Sequence, residues 1–231
     1  FIGIVATLLL NYTCSVWTEH QYKEVFAVKE MLPKEDQKLI FEDTRACMYH
    51  KIGGTVLNST DSVVLTKMVS LAMTGIYSNY SMLLTYIQQF IGQILGNFTA
   101  SVGNAIQKMS DDDYYKLFKK INFLGLWVAS IVSVGVYGVI DDLVRVWLGD
   151  KYVLDSTTTM IVVIQLFITL SKITSGAFTN AAGLFVMDKI RPLIEAVLNL
   201  VISIILTFYM GISGVFLGTI ISMALTVCWR E

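Results

Sequence analysis

The 231-residue chain sets 17 Lys+Arg against 18 Asp+Glu, a formal net charge of −1, and is 55% apolar but only 15% charged. Soluble domains average about 25% charged residues. A mean hydropathy of +0.63 therefore argues against a soluble enzyme, the near-neutral balance gives nothing to attract nucleic acid, and 12% aromatics with two prolines oppose disorder.

In chain order, Phe1 opens inside the apolar run FIGIVATLLL. No basic segment and no small-residue cleavage site accompany it, so a signal peptide is not expected. Residues 1–17 read instead as the end of a transmembrane helix whose start lies upstream. Residues 18–51 read as a cytoplasmic loop with an interfacial helix in its second half. There Pro33 suits a first helical position ahead of Lys34, Glu35 and Asp36, and the pairs Ile40/Cys47 and Phe41/Met48 recur at seven residues.

Residues 52–231 read as a six-helix transmembrane bundle. A span needs about 20 mostly apolar residues. Residues 121–140 contain no charge, and 157–178 are broken only by Lys172. Residues 193–210 and 212–229 form a tight hairpin around Met210 and Gly211, while 52–75 and 76–104 are long but more polar. With the first helix this makes about seven spans. The fold class is all-α, a polytopic bundle, because lipid offers no partner to exposed backbone.

Thirteen of the 17 basic residues fall on one side of this arrangement, in the loops 18–51, 105–120 and 179–192 and at Arg230. The positive-inside rule places that side in the cytoplasm. Cys14, Cys47 and Cys228 are scattered and odd in number, so neither a disulfide framework nor a metal site is expected. The run Asp111-Asp112-Asp113 reads as a solvated helix start or turn rather than a metal site. Asp141, Asp142 and Asp150 read as loop-solvating residues. No phosphate-binding loop, dinucleotide fingerprint or nucleophile elbow occurs, and no enzyme activity or cofactor is expected.

The chemistry lies in polar residues within the spans. At about 100° per residue, Tyr86, Gln89, Gln93, Asn97, Ser101 and Asn104 share one arc of a helix. His50, Gly54, Asn58 and Asp61 share another, Gln165, Thr169, Lys172 and Gly176 a third, and Glu195, Asn199 and Ser203 a fourth. A polar stripe cannot face lipid cheaply. Singly, each stripe serves as interhelical glue; four together point to a hydrophilic cavity. Its candidate lining residues are Asn58, Asp61, Gln89, Gln93, Asn97, Gln165, Lys172, Glu195 and Asn199. Asp61, about 15 Å beyond Lys51 at 1.5 Å per residue, is expected near mid-depth. An ionised carboxylate there costs at least about 2.5–3.5 kcal/mol and must be paired, hydrated or protonated. The strip Gly214, Gly218 and Ser222 suits close helix packing.

The stretches His50–Gly53, Asn58–Asp61 and Gly75–Tyr80 are followed in order by Ser101–Asn104, Ala181–Phe185 with Asp188, Arg191-Pro192, Glu195-Ala196, Asn199-Leu200 and Gly214–Thr219. In order and spacing these resemble the second half of Wzx-type polysaccharide flippases, of the polysaccharide transporter branch of the MOP superfamily. The resemblance implies one six-helix half of a MATE-like transporter whose other half precedes this chain. It implies a bacterial cytoplasmic (inner) membrane protein that flips undecaprenyl-diphosphate-linked oligosaccharides of O-antigen or capsule. It also implies alternating access, driven by a coupling ion, H+ or Na+. The alternatives are a cation-coupled drug exporter of the same fold and a membrane enzyme of polysaccharide assembly.

Overall fold

The computed structural model describes residues 2–23, 33–96, 102, 109–182 and 190–228. Among them are seven α-helices and no strand. They are α1 (Ile2–Gln21), α2 (Lys34–Met68), α3 (Leu71–Gly96), α4 (Asp111–Leu148), α5 (Ser156–Ala181), α6 (Arg191–Met210) and α7 (Ile212–Cys228), with a 3₁₀ turn at Asp150–Tyr152. The chain divides into two compact units, Phe1–Glu42 and Asp43–Glu231. The first holds α1, whose Leu8, Leu9, Tyr12 and Trp17 are exposed. The second holds most of α2 and all of α3 to α7.

Helices α4, α5 and α6 are each long and apolar enough to cross a membrane, and α7 is apolar but shorter. Their ends follow local chemistry. Ser110 caps α4 by accepting from the Asp113 amide, so the three aspartates form the expected first turn, next to the positive end of the helix dipole. Gly149 at φ +100° ends α4, and Gly211 at φ +60° ends α6 so that α7 can start at once. Both conformations disfavour any residue with a Cβ.

Several boundaries differ from the sequence reading, among them both ends of α2. Helix α2 runs from the residue after Pro33 past residue 51 without a break. It stops at Met68 rather than near residue 75. The cause is Ser70, whose hydroxyl accepts from the Met73 amide at 3.1 Å and starts α3. The α2–α3 turn, the α4–α5 connection and the α6–α7 turn are every second helix reversal and define what we call the turn end.

The second unit is arranged for lipid. Large apolar groups such as Trp127, Val134, Val146, Phe208 and Tyr209 point outward, while Tyr80, Leu166, Leu170, Val215 and Phe216 form the core. Several buried Ser and Thr bond back to their own helices, as in Thr60 to the Val56 carbonyl at 2.7 Å and Thr226 to the Ser222 carbonyl at 3.0 Å, whereas the buried Ser133 hydroxyl has no such partner.

Candidate functional site

The site begins with the small residues of α7. A Cβ on Gly214 would meet the Leu206 backbone, and one on Gly218 would lie 2.7 Å from the Ser203 Cα. Glycine at both positions lets α6 and α7 touch along their backbones. This contact puts Thr219 beside Asn199, whose amide nitrogen donates to the Thr219 hydroxyl at 2.7 Å. Helix α2 comes equally close to α6 elsewhere: a Cβ on Gly53 would sit 2.7 Å from the Pro192 Cβ.

Between these helices lies Asp61, 4% exposed. The Thr219 hydroxyl stands 3.3 Å from both carboxylate oxygens, and the Tyr77 hydroxyl donates from α3 at 3.5 Å. Tyr77 is held from behind by the Phe216 ring, 5.3 Å away between centroids. Asp61 is seven residues short of Met68, and Thr219 seven past Ile212, so both lie about 10 Å from the turn end. The sequence had placed Asp61 near mid-depth; the earlier end of α2 moves it into the half of the bundle next to the turns.

The cluster is rich in oxygen acceptors and poor in protons. Asp61 supplies two oxygens and no cation among its hydrogen-bond partners. The single Thr219 proton is shared among both carboxylate oxygens and the Val215 carbonyl, 3.2 Å away. Among the described residues, the Asn199 side-chain oxygen has no hydrogen-bond partner, though Asn199 is fully buried. Such an orphan costs about 1–3 kcal/mol. A monovalent cation or an added proton would relieve this imbalance. The described residues contain no group of three or more His, Cys, Asp or Glu side chains able to hold a metal.

The remaining candidates fall in two other places. Tyr77 also borders an open groove of about 330 Å³ along α3, where Ser62, Ser78, Ser81, Thr85 and Gln89 join it. Gln93, one turn on, is exposed. Lys172, Glu195 and Arg191 lie toward the opposite end, with Arg191 Nε 4.0 Å from the Glu195 carboxylate and Lys172 within electrostatic reach of both. Gln165 is half-buried on α5. Asn97 and the Asn58 side chain lie outside the described residues.

The structure corrects one expectation outside these candidates. Asp141 does not solvate a loop: it sits inside α4, and its Oδ1 accepts from the Tyr80 hydroxyl at 2.7 Å and the Thr159 hydroxyl at 2.9 Å. The neighbouring Asp142, which pairs with Arg145, made the doublet look like a helix end. The available signal was Tyr77 and Tyr80, three residues apart on one apolar helix, each with a hydroxyl that needs a partner.

No known protein-family profile matches the chain, and no curated protein does. The fold is similar to a solved MOP superfamily transporter from Pyrococcus furiosus Vc1 (DSM3638), described as having a binding pocket of reverse polarity that suggests a different function. The TM-score is 0.66 at 18% identity, over 81% of this chain and 43% of that one. This chain thus spans less than half the length of the transporter whose fold it shares.

Proposed function

We propose that this chain is one half of an alternating-access membrane transporter that flips a lipid-linked oligosaccharide across the bacterial cytoplasmic membrane, driven by a monovalent cation at Asp61. In transporters of this architecture two helical halves rock about a polar site, so the rest of the groove's wall would come from the other half. The observation that carries the reading is the character of the groove and its link to the carboxylate. The groove is lined by neutral hydroxyls, one amide and aromatic edges, with no acidic side chain. That chemistry suits sugar hydroxyls. A cationic drug would call for carboxylates in the wall. The apolar exterior leaves a prenyl tail in lipid.

Tyr77 belongs to both places: its ring borders the groove and its hydroxyl reaches Asp61. A cation held by the Asp61 and Thr219 oxygens would compete with the Tyr77 hydrogen bond. Occupancy of the ion site thereby acts on the helix that carries the groove. Sodium fits the donor set better than a proton, because a proton neutralises Asp61 but leaves one of several acceptors unserved.

The test uses the full-length protein. Sodium is expected to raise its melting temperature, since a ligand that binds only the folded state stabilises it. In Asp61→Asn this protection is lost, with cation affinity lowered on the order of a hundredfold, and surface glycan falls at normal expression. Normal glycan in that variant removes the coupling role; protection by acid instead of sodium replaces the cation with a proton. Altered drug sensitivity with unchanged glycan on deletion of the gene rejects the sugar-carrier reading.

A further inference from the structure

The hydroxyls of α3 serve two carboxylates, only one of which belongs to the proposed ion site. Tyr77 donates to Asp61 on α2, and Tyr80 donates to Asp141 on α4. Tyr80 is fully buried, and its oxygen also accepts from the Leu154 amide at 3.2 Å. Thr159, fully buried on α5, donates to the same Asp141 oxygen. One phenol thus ties α3 to α4 and to the α4–α5 connection, and α5 closes the set.

On a helix, residues three apart are separated by about 4.5 Å along the axis and about 60° around it. Helix α3 cannot rotate or slide at Tyr80 without carrying Tyr77 with it. The Tyr80 bond at 2.7 Å is short, whereas the Tyr77 bond at 3.5 Å is at the limit of a hydrogen bond. The tight contact therefore fixes the register of α3, and the loose one is free to yield when a cation arrives.

We infer that Asp141 is a positioning residue for the ion site: through Tyr80 it holds α3 so that Tyr77 faces Asp61. This rests on the reading of Asp61 as a cation site. Asp141 does not touch the ion. It sets how strongly the Tyr77 hydroxyl competes with the ion for Asp61, and so sets the sodium concentration at which the site fills.

The measurement is thermal protection of the intact protein by sodium, titrated to its half-maximal concentration in each variant. Tyr77→Phe is expected to shift that concentration by about threefold to tenfold, the scale of one ordinary hydrogen bond, as suits a contact of 3.5 Å. Tyr80→Phe shifts it in the same direction. The double variant shifts it no further than Tyr77→Phe alone, because Tyr80 acts only through Tyr77. Asp141→Asn keeps the acceptor for both hydroxyls and stays within about twofold of the parent, while Asp141→Ala reproduces Tyr80→Phe.

A purely structural role lowers the sodium-free melting temperature and leaves half-saturation unchanged. That pattern in Tyr80→Phe, or multiplying shifts in the double variant, overturns the inference. If the parent gains no protection from sodium, or Asp61→Asn keeps it, the cation site itself falls and the inference goes with it. If that protection and its dependence on Asp61 stand while Tyr80→Phe is silent, only the positioning role is lost.

Discussion

Asp61 and Glu195 are withdrawn from solvent to nearly the same degree, at 4% and 6% exposure, yet they are served in opposite ways. Glu195 has the Arg191 guanidinium 4.0 Å away on its own helix, one turn earlier. Asp61 has hydroxyls from α3 and α7. A carboxylate beside a fixed cation is neutralised where it stands and has no call on anything from outside. One served by neutral hydroxyls, with no cation among its hydrogen-bond partners, is, on the proposed reading, compensated when positive charge arrives. If the proposed ion site holds, burial alone does not mark a functional carboxylate; the charge of its neighbours does.

Separating α6 from α7 attacks one side of that contrast and spares the other. Gly218→Ala would place a methyl 2.8 Å from the Ser203 nitrogen, one residue from Thr219. Overpacking of this kind costs about 1–3 kcal/mol and pulls Thr219 from Asn199. We expect a lower melting temperature together with weaker sodium protection. The Arg191–Glu195 pair, contained in α6, is not disturbed. Loss of stability with an unchanged sodium titration would show that the α6–α7 contact does not shape the Asp61 site.

Neutralising the other carboxylate sharpens the contrast further. Glu195→Gln removes the charge of the carboxylate that faces the half-buried Arg191. The pair is long and partly reached by solvent, so the cost is about 1–2 kcal/mol, below the range for a fully buried pair. The expected result is reduced thermal stability with sodium half-saturation unaltered. A sodium shift as large as that of Asp61→Asn would make the two carboxylates one site and break the comparison.

How far the sequence exposed this arrangement depended on where each signal lay. The α6 stripe was legible because Glu195, Asn199 and Ser203 interrupt an apolar run every four residues, and all three are buried, with Thr207 continuing the row. The packing role of Gly214 and Gly218 was legible for the same reason. The partner of Asp61 was not. Thr219 lies 158 residues away, and no local pattern announces such a pairing. The turn at Val69 and Ser70 was missed because it contains neither Gly nor Pro, although a serine ahead of an apolar helical run is an N-cap signal. That one boundary moved the expected depth of Asp61. Asp141 was missed because its charged neighbours resemble a loop, while its partner Tyr80 lies 61 residues earlier.

A third carboxylate supplies the solvent-side limit of the comparison. Asp155 caps α5: the Thr158 amide donates to it at 3.0 Å and the Thr158 hydroxyl at 2.6 Å. The hydroxyl bond, ahead of the amide bond, holds its carboxyl below the usual carboxylate range. Unlike Asp61, it lies outside the spanning segment, where water and the helix N-terminus already stabilise the charge. It needs no cation. Asp155→Ala is expected to cost about 1 kcal/mol, the ordinary worth of an N-cap, with no effect on sodium protection. Because the folded carboxyl is the more acidic, its contribution is complete above the unfolded value, near pH 4. It drains away as pH falls through the lower folded value. The gap between parent and variant in thermal unfolding should therefore hold at neutral pH and close in acid. A gap that widens in acid, or a sodium titration displaced by this variant, would mean that α5 reaches the ion site by a route other than Thr159 and Asp141.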